Sequence, residues 1–432
     1  MTVLIKILQV ILALSVLIII HEAGHFFWAR VFKIKVEKFF LFFDAGGVKL
    51  FSKKIGDREY GIGWLPLGGY CKIAGMIDES LDTEQLKKEP QPWEFRSKPA
   101  WQRLLVMGGG VLNNFILALA LFVAILAIWG QNYIPNENPI YVNELGYDMG
   151  FRSGDRILRY DNYVPTDFLD LQSDLARRQV RKATVLRGPD TLDIYIDQSL
   201  LADVLNTPGM FDLALPFVVD SVMTGGANAA SGLLGGDLIA GVLGEETPYL
   251  QDAQKILRCH PGETLPVTVV RDADTLTLAL QVDSLGMLGV FLRNPSMQHR
   301  DYSVLQAVPA GCSWAWNSVT GYLRDLKLVA TPSTGAYKSV GSFIAIGQVF
   351  PSRWNWHQFL YILALLSIML GVINLLPVPA LDGGHIVFCL YEMITGRKPS
   401  DRFLMVAQVI GMLLLLLLMF LAFGNDIARL IR

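Results

Sequence analysis

The sequence predicts a polytopic α-helical membrane protein: four transmembrane helices, a membrane-associated β-hairpin region after the first, and two tandem extracytoplasmic α+β modules. Three observations predict this class. The 432 residues are 52% apolar and only 18% charged, with a mean hydropathy of +0.39, which is too apolar for an ordinary soluble enzyme and too polar for a bare helical bundle. Four stretches are long and apolar enough to cross a hydrocarbon layer about 30 Å thick. The long interval between the second and third stretches contains an internal repeat.

The first span is placed roughly at residues 4–28. Its apolar run, residues 7–20, is broken only by Gln9 and Ser15 and flows straight into His21. No small-residue cleavage site intervenes, so a cleaved signal peptide is not expected. The second span runs from near Trp101 to about Trp129, the third from about 359 to 376, and the fourth from about 403 to 423, with an unbroken leucine run at 413–418. Four spans put both termini on one side. Residues 30–103 are rich in basic side chains, from Arg30, Lys33 and Lys35 through Lys87 and Lys88 to Arg103, and Arg397, Lys398 and Arg402 precede the last span. Basic flanking loops face the cytoplasm. A membrane protein with an external segment at about 131–355 is therefore expected. The divisions are 1–130 (two spans and the β-region), 131–210 and 211–290 (the modules), 291–355 (linker and amphipathic connector) and 356–432 (the last two spans).

The first span ends in His21-Glu22-Ala23-Gly24-His25. Two histidines at i and i+4 share one helix face and can reach one zinc ion, with Glu22 placed to activate a water. At 1.5 Å per residue from Ile7, His21 lies about 21 Å along the span, toward the cytoplasmic end. A central charge costs about 3 kcal/mol on insertion scales, and nothing structural offsets that unless these groups bind something. A catalytic zinc needs a third protein ligand. In Asn374-Leu375-Leu376-Pro377-Val378-Pro379-Ala380-Leu381-Asp382-Gly383-Gly384-His385, the prolines stop a helix and the glycines permit a tight turn. Irregular backbone at membrane depth must be buried in protein or line a wet cavity. That makes Asp382 a candidate ligand, with His385 as a competitor, and Asn374 is placed to donate to an oxyanion.

The repeat is Gly150-Phe151-Arg152-Ser153-Gly154-Asp155-Arg156-Ile157, which returns 82 positions later as Gly232-Leu233-Leu234-Gly235-Gly236-Asp237-Leu238-Ile239. Each copy is bracketed by short β-like runs and followed by a helix-like stretch, 166–177 and 249–258. The pattern resembles PDZ domains, which capture extended peptides by strand addition. Peptide ligands follow as expected partners.

Other classes are excluded by composition. The net charge of −2 offers no basis for nucleic-acid binding. Cys71, Cys259, Cys312 and Cys389 are scattered and form neither a disulfide framework nor a thiolate site.

An intramembrane HExxH paired with Asn-x-x-Pro-x-Pro-x-Leu-Asp-Gly-Gly resembles the site-2 protease family of intramembrane zinc metalloproteases. The double PDZ-like insertion is most similar to its bacterial regulator of sigma-E protease branch. Leu65-Pro66-Leu67-Gly68-Gly69-Tyr70-Cys71-Lys72 is similar to that family's membrane-dipping β-hairpin, and Gly424-Asn425-Asp426 to its ending. The resemblance implies His21, His25 and Asp382 as Zn2+ ligands, Glu22 as general base, and Asn374 and Asn114 as substrate-binding or transition-state residues. Its implied partners are membrane lipid and single-span membrane proteins, either anti-sigma factors or signal-peptide remnants. Two departures stand out. Val111 occupies the place of a family proline, and Phe43-Asp44-Ala45-Gly46-Gly47 replaces the usual Gly-Phe-Gly. A non-catalytic PDZ membrane scaffold is the alternative, which the intact His21, Glu22, His25 and Asp382 oppose.

Overall fold

The computed structural model describes residues 2–66, 68–76, 89–207, 209–272, 274–292, 297–331 and 341–431. Leu67, Lys87 and Lys88 lie outside the described residues. The chain divides into two compact units, 1–130 with 301–432, and 131–300.

In the first unit, four helices among the described residues are long and apolar enough to cross a membrane: Thr2–Val31, Ala100–Trp129, Trp356–Leu375 and Asp401–Ile431. Each contains an expected span almost whole, and the first and fourth extend past both of its ends. The first stops where Lys33 turns left-handed (φ 56°). There the N–H of Ile34 donates to Ala29 O at 2.8 Å and that of Lys33 to Arg30 O at 3.1 Å, which satisfies the last carbonyls as a Schellman closure does. The second helix begins after Pro99 and runs unbroken through Val111, because valine keeps the N–H that proline lacks. Asn355 caps the third by accepting from the Gln358 N–H.

The connector expected at 291–355 is more structured than a linker. Val290–Leu292 pairs with Phe217–Val222, and Gln298–Arg300 pairs with Gln131–Tyr133. A helix, Val304–Val329, follows a capping box of Ser303 and Gln306. It packs on the second and third spans through Trp314, which stacks on Phe122 with centroids 4.8 Å apart and lies 5.7 Å from Tyr361. Its mixed composition hides this burial from a hydropathy argument.

The expected β-hairpin is part of a larger element. Lys49–Ile55 and Arg58–Gly63 form the hairpin, but Val36–Leu41 pairs parallel with the second strand and Tyr70–Ile73 adds antiparallel beyond it. The result is a four-stranded mixed sheet with Tyr70–Ile73 at one edge. Between the third span and the Asp382–Thr395 helix, Ala380 is the strained residue (φ 85°). Gly383 and Gly384 are not left-handed, contrary to the turn role expected of them. They lack side chains because the carbonyls of Leu376 and Val378 lie against their Cβ positions.

The second unit holds two cores. One gathers Phe151, Ile157, Leu171, Leu175 and Val185, and the other Val219, Ile239, Leu257, Val267 and Val269. The repeated aspartates sit alike. Asp155 and Asp237 are fully buried, and each is gripped by the arginine that ends the first strand of a following hairpin, Arg187 Nε at 2.8 Å and Arg271 Nε at 2.7 Å. The helix-like stretches appear as Leu171–Arg177, preceded by a 3-10 turn, and Leu250–Arg258. Just past the expected division between 210 and 211, Phe211–Leu213 pairs with Ile140–Val142, and Phe211 packs edge-on to Phe151. The apolar run alone carries no signal of which partner strand it takes.

Candidate active site

His21 and His25 project from the C-terminal part of the first spanning helix, and Asp382 opens the helix after the third. Leu381 occupies the N-cap without a side-chain cap bond, so the Asp382 carboxylate is not engaged in capping. It lies instead against both histidines. Asp382 Oδ2 is 3.2 Å from His21 Nε2 and 3.4 Å from His25 Nε2, and the two Nε2 atoms are 3.2 Å apart. Zinc bonds of about 2.0–2.1 Å in a tetrahedron require donor separations of about 3.3 Å, which this triangle meets. Asp382 Oδ2 is also buried without a hydrogen-bond partner, a state that a cation relieves. The donor set fits zinc. His385 lines the same cavity but stands outside this cluster.

Each imidazole is aimed by a group behind it. His25 Nδ1 donates to Val106 O at 2.8 Å, leaving the Nε2 lone pair for a metal. His21 Nδ1 lies 3.0 Å from the Asn114 carboxamide. An amide's two ends are interchangeable in assignment. With Oδ1 accepting the His21 Nδ1–H, the otherwise partnerless Oδ1 of Asn114 gains a donor and His21 matches its neighbour. Asn114 is expected among the substrate-contacting residues. The structure buries it completely and leaves it out of the cavity lining, because its position on the second span faces the back of His21. Ser367 Oγ donates to its carbonyl at 2.8 Å.

The cavity in front of the cluster has a volume of about 640 Å³ and takes in Glu22, Asn374, the edge strand at 70–73 and Gln408. The Cys71 backbone N–H donates to Glu22, which fixes the carboxylate beside the strand edge. Asn374 Nδ2 is 3.4 Å from His21 Nε2. At the mouth, Asp44 accepts from the Tyr70 hydroxyl at 2.9 Å and pairs with Lys38 at 3.5 Å. Burial raises the Asp44 pKa, but these partners outweigh it and hold the carboxyl below its ordinary value.

Three features escaped the sequence argument. Gly110 has room for no Cβ, because that atom would collide with His21 and His25. Val106 acts through its carbonyl, which residue type does not encode. Gln408 sits in the fourth span, where a lone polar residue gives no signal of the direction it faces.

The model of peptidase family M50 matches residues 9–418. This chain belongs to peptidase family M50. It is similar to a provisionally named zinc metalloprotease of Xylella fastidiosa strain 9a5c, 30% identical over 96% of this chain and 97% of the relative. It is also similar to the regulator of sigma E protease of Salmonella typhi (29%, 97% and 98%) and to protease RseP of Yersinia pestis (29%, 97% and 98%). Family membership and the metal-binding geometry make the chain an intramembrane zinc metalloprotease of the site-2 type. Zinc is its cofactor.

Proposed function

We propose that this M50 peptidase hydrolyses peptide bonds within or beside the transmembrane segments of single-span membrane proteins, with His21, His25 and Asp382 holding zinc and Glu22 acting as general base. The observation that carries this assignment is the triangle of donor atoms with its partnerless Asp382 Oδ2, set in a cavity beside Glu22. Bound zinc supplies Lewis acidity toward water and the scissile carbonyl. Glu22 takes the proton of the attacking water and delivers it to the leaving amine. Asn374 donates to the oxygen that gains charge. A helical substrate hides its carbonyls in i→i−4 bonds and must unwind to react. The strand Tyr70–Ile73, at the edge of its sheet among the described residues, offers that unwound segment a partner.

Substrates of the anti-sigma type and signal-peptide remnants fit this chemistry, and the names of the RseP relatives support the first. The repeats are assigned as extracytoplasmic PDZ-like domains that regulate access. The edge position of Val290–Leu292, with Phe291 and Leu292 exposed, supports peptide capture by strand addition. The basic 30–103 loop is assigned to the cytoplasm and the inner membrane is the site of action.

Glu22→Gln, purified in detergent with a synthetic membrane-span peptide, should keep its zinc while cleavage falls by about 10²–10⁴-fold. Undiminished cleavage would end this assignment. Sidedness is read in intact cells with an impermeant thiol reagent: exposed Cys259, or Ser173→Cys, should label, and Cys71 should not. Labelling of Cys71 alone would invert the topology.

A further inference from the structure

The fourth spanning helix is apolar and largely exposed along residues 413–421, as a lipid-facing helix should be. Gln408 breaks that pattern, about 9 Å along the helix from Arg402. It is only 4% exposed and lines the same cavity as His21, Glu22, His25 and Asp382. Among the described residues its carboxamide has no hydrogen bond, ion pair or other polar contact. Its place is fixed: a Cβ at Gly411, one turn on, would run into the Pro379 carbonyl, so this helix lies directly on the loop that presents Asp382. Facing the cavity with no protein partner, the amide keeps both its donor and its acceptor available to a bound ligand.

We infer that Gln408 is a substrate-binding residue, whose carboxamide pairs with a peptide group of the unwound substrate segment in the catalytic cavity. The inference rests on the protease assignment and extends it to the fourth span. The chemistry follows from what an extended strand presents. One of its edges pairs with the strand Tyr70–Ile73, while its other edge turns N–H and C=O groups toward the rest of the cavity, where each needs a partner. A carboxamide carries one acceptor and a donor pair and so matches a peptide group from a different wall of the cavity. Contact with the backbone tolerates variation in substrate side chains, as suits an enzyme that accepts unwound helices.

The test measures affinity and not turnover. In a Glu22→Gln background, binding of a synthetic membrane-span peptide is compared for Gln408 and Gln408→Leu, with Gln408→Met as a second apolar variant. Loss of one hydrogen bond should weaken Kd by about three- to tenfold, with zinc content unchanged. Thermal stability should hold, because the amide makes no hydrogen bond within the protein that the substitution would remove. A peptide carrying a backbone ester at the contacted position, which lacks the N–H and has a weaker carbonyl acceptor, should narrow the gap between the two forms. Unchanged Kd in both variants would overturn the inference, as would a lowered melting temperature, which would reveal a structural partner. A weakened Kd with no ester position at which the gap narrows would also overturn it, by placing the contact on a substrate side chain. Cleavage by the enzyme with Glu22 intact is followed in parallel. Its failure would sink the protease assignment and leave the affinity comparison valid.

Discussion

Adding one methyl group at Gly110 should empty the metal site while leaving the helices intact. The Cβ of Gly110→Ala would fall less than 3.0 Å from His25 Nε2, His25 Cε1 and His21 Cε1. Ordinary contacts begin near about 3.5 Å, so the two rings must withdraw by about 0.5–1 Å. Metal ligands tolerate deviations of about 0.2 Å. Loss of a group that merely orients a ligand already lowers affinity about 10–100-fold, so moving two ligands together should cost at least about 100-fold. Alanine also improves an interior helix position by about 1 kcal/mol over glycine, which separates metal loss from unfolding. Gly108→Ala is the control, because nothing lies within 4 Å of its Cβ position. Zinc per chain is measured by atomic emission after equilibration against a graded chelator series, with circular dichroism recorded on the same samples. Gly110→Ala should lose zinc at chelator levels where Gly108→Ala retains it. Equal retention by the two would refute the claim that Gly110 makes room for the imidazoles.

Further outcomes follow from neighbouring contacts. Asn114→Leu should lower zinc affinity about 10–100-fold in the same chelator series, and Asp382→Asn by at least as much, since a neutral amide is a poorer ligand than a carboxylate. Unchanged zinc in Asp382→Asn would move the third ligand to His385. In the second unit, the Arg271 guanidinium holds the Asp237 carboxyl below its ordinary value. Its stabilisation is therefore fully present above the ordinary carboxylate range near about pH 4 and is lost as pH falls through the lowered folded value. Asp237→Asn should destabilise that unit by about 2–4 kcal/mol at pH 7, measured by thermal unfolding. The difference from the unchanged protein should shrink below about pH 4, and a gap independent of pH would refute the pairing.

What the sequence determined by itself is whatever periodicity and local chemistry encode. The four spans follow from hydropathy, because a bilayer demands about 20 apolar residues from any helix whatever its neighbours. The His21 and His25 pair follows from helical spacing, and the repeat from Gly154-Asp155 and Gly236-Asp237. Other features depend on partners far along the chain. Tertiary structure alone brings Asp382 within 3.4 Å of both histidines, sets Val106 and Asn114 behind them, and requires Gly110 to be bare. It extends the hairpin into a four-stranded sheet by sliding Val36–Leu41 between two later strands. It pairs Phe211–Leu213 with Ile140–Val142, because a short apolar strand carries no mark of its partner. Gln408 is the plainest case: in sequence it is one polar residue in an apolar span, and only packing decides that it faces the catalytic cavity and not the lipid.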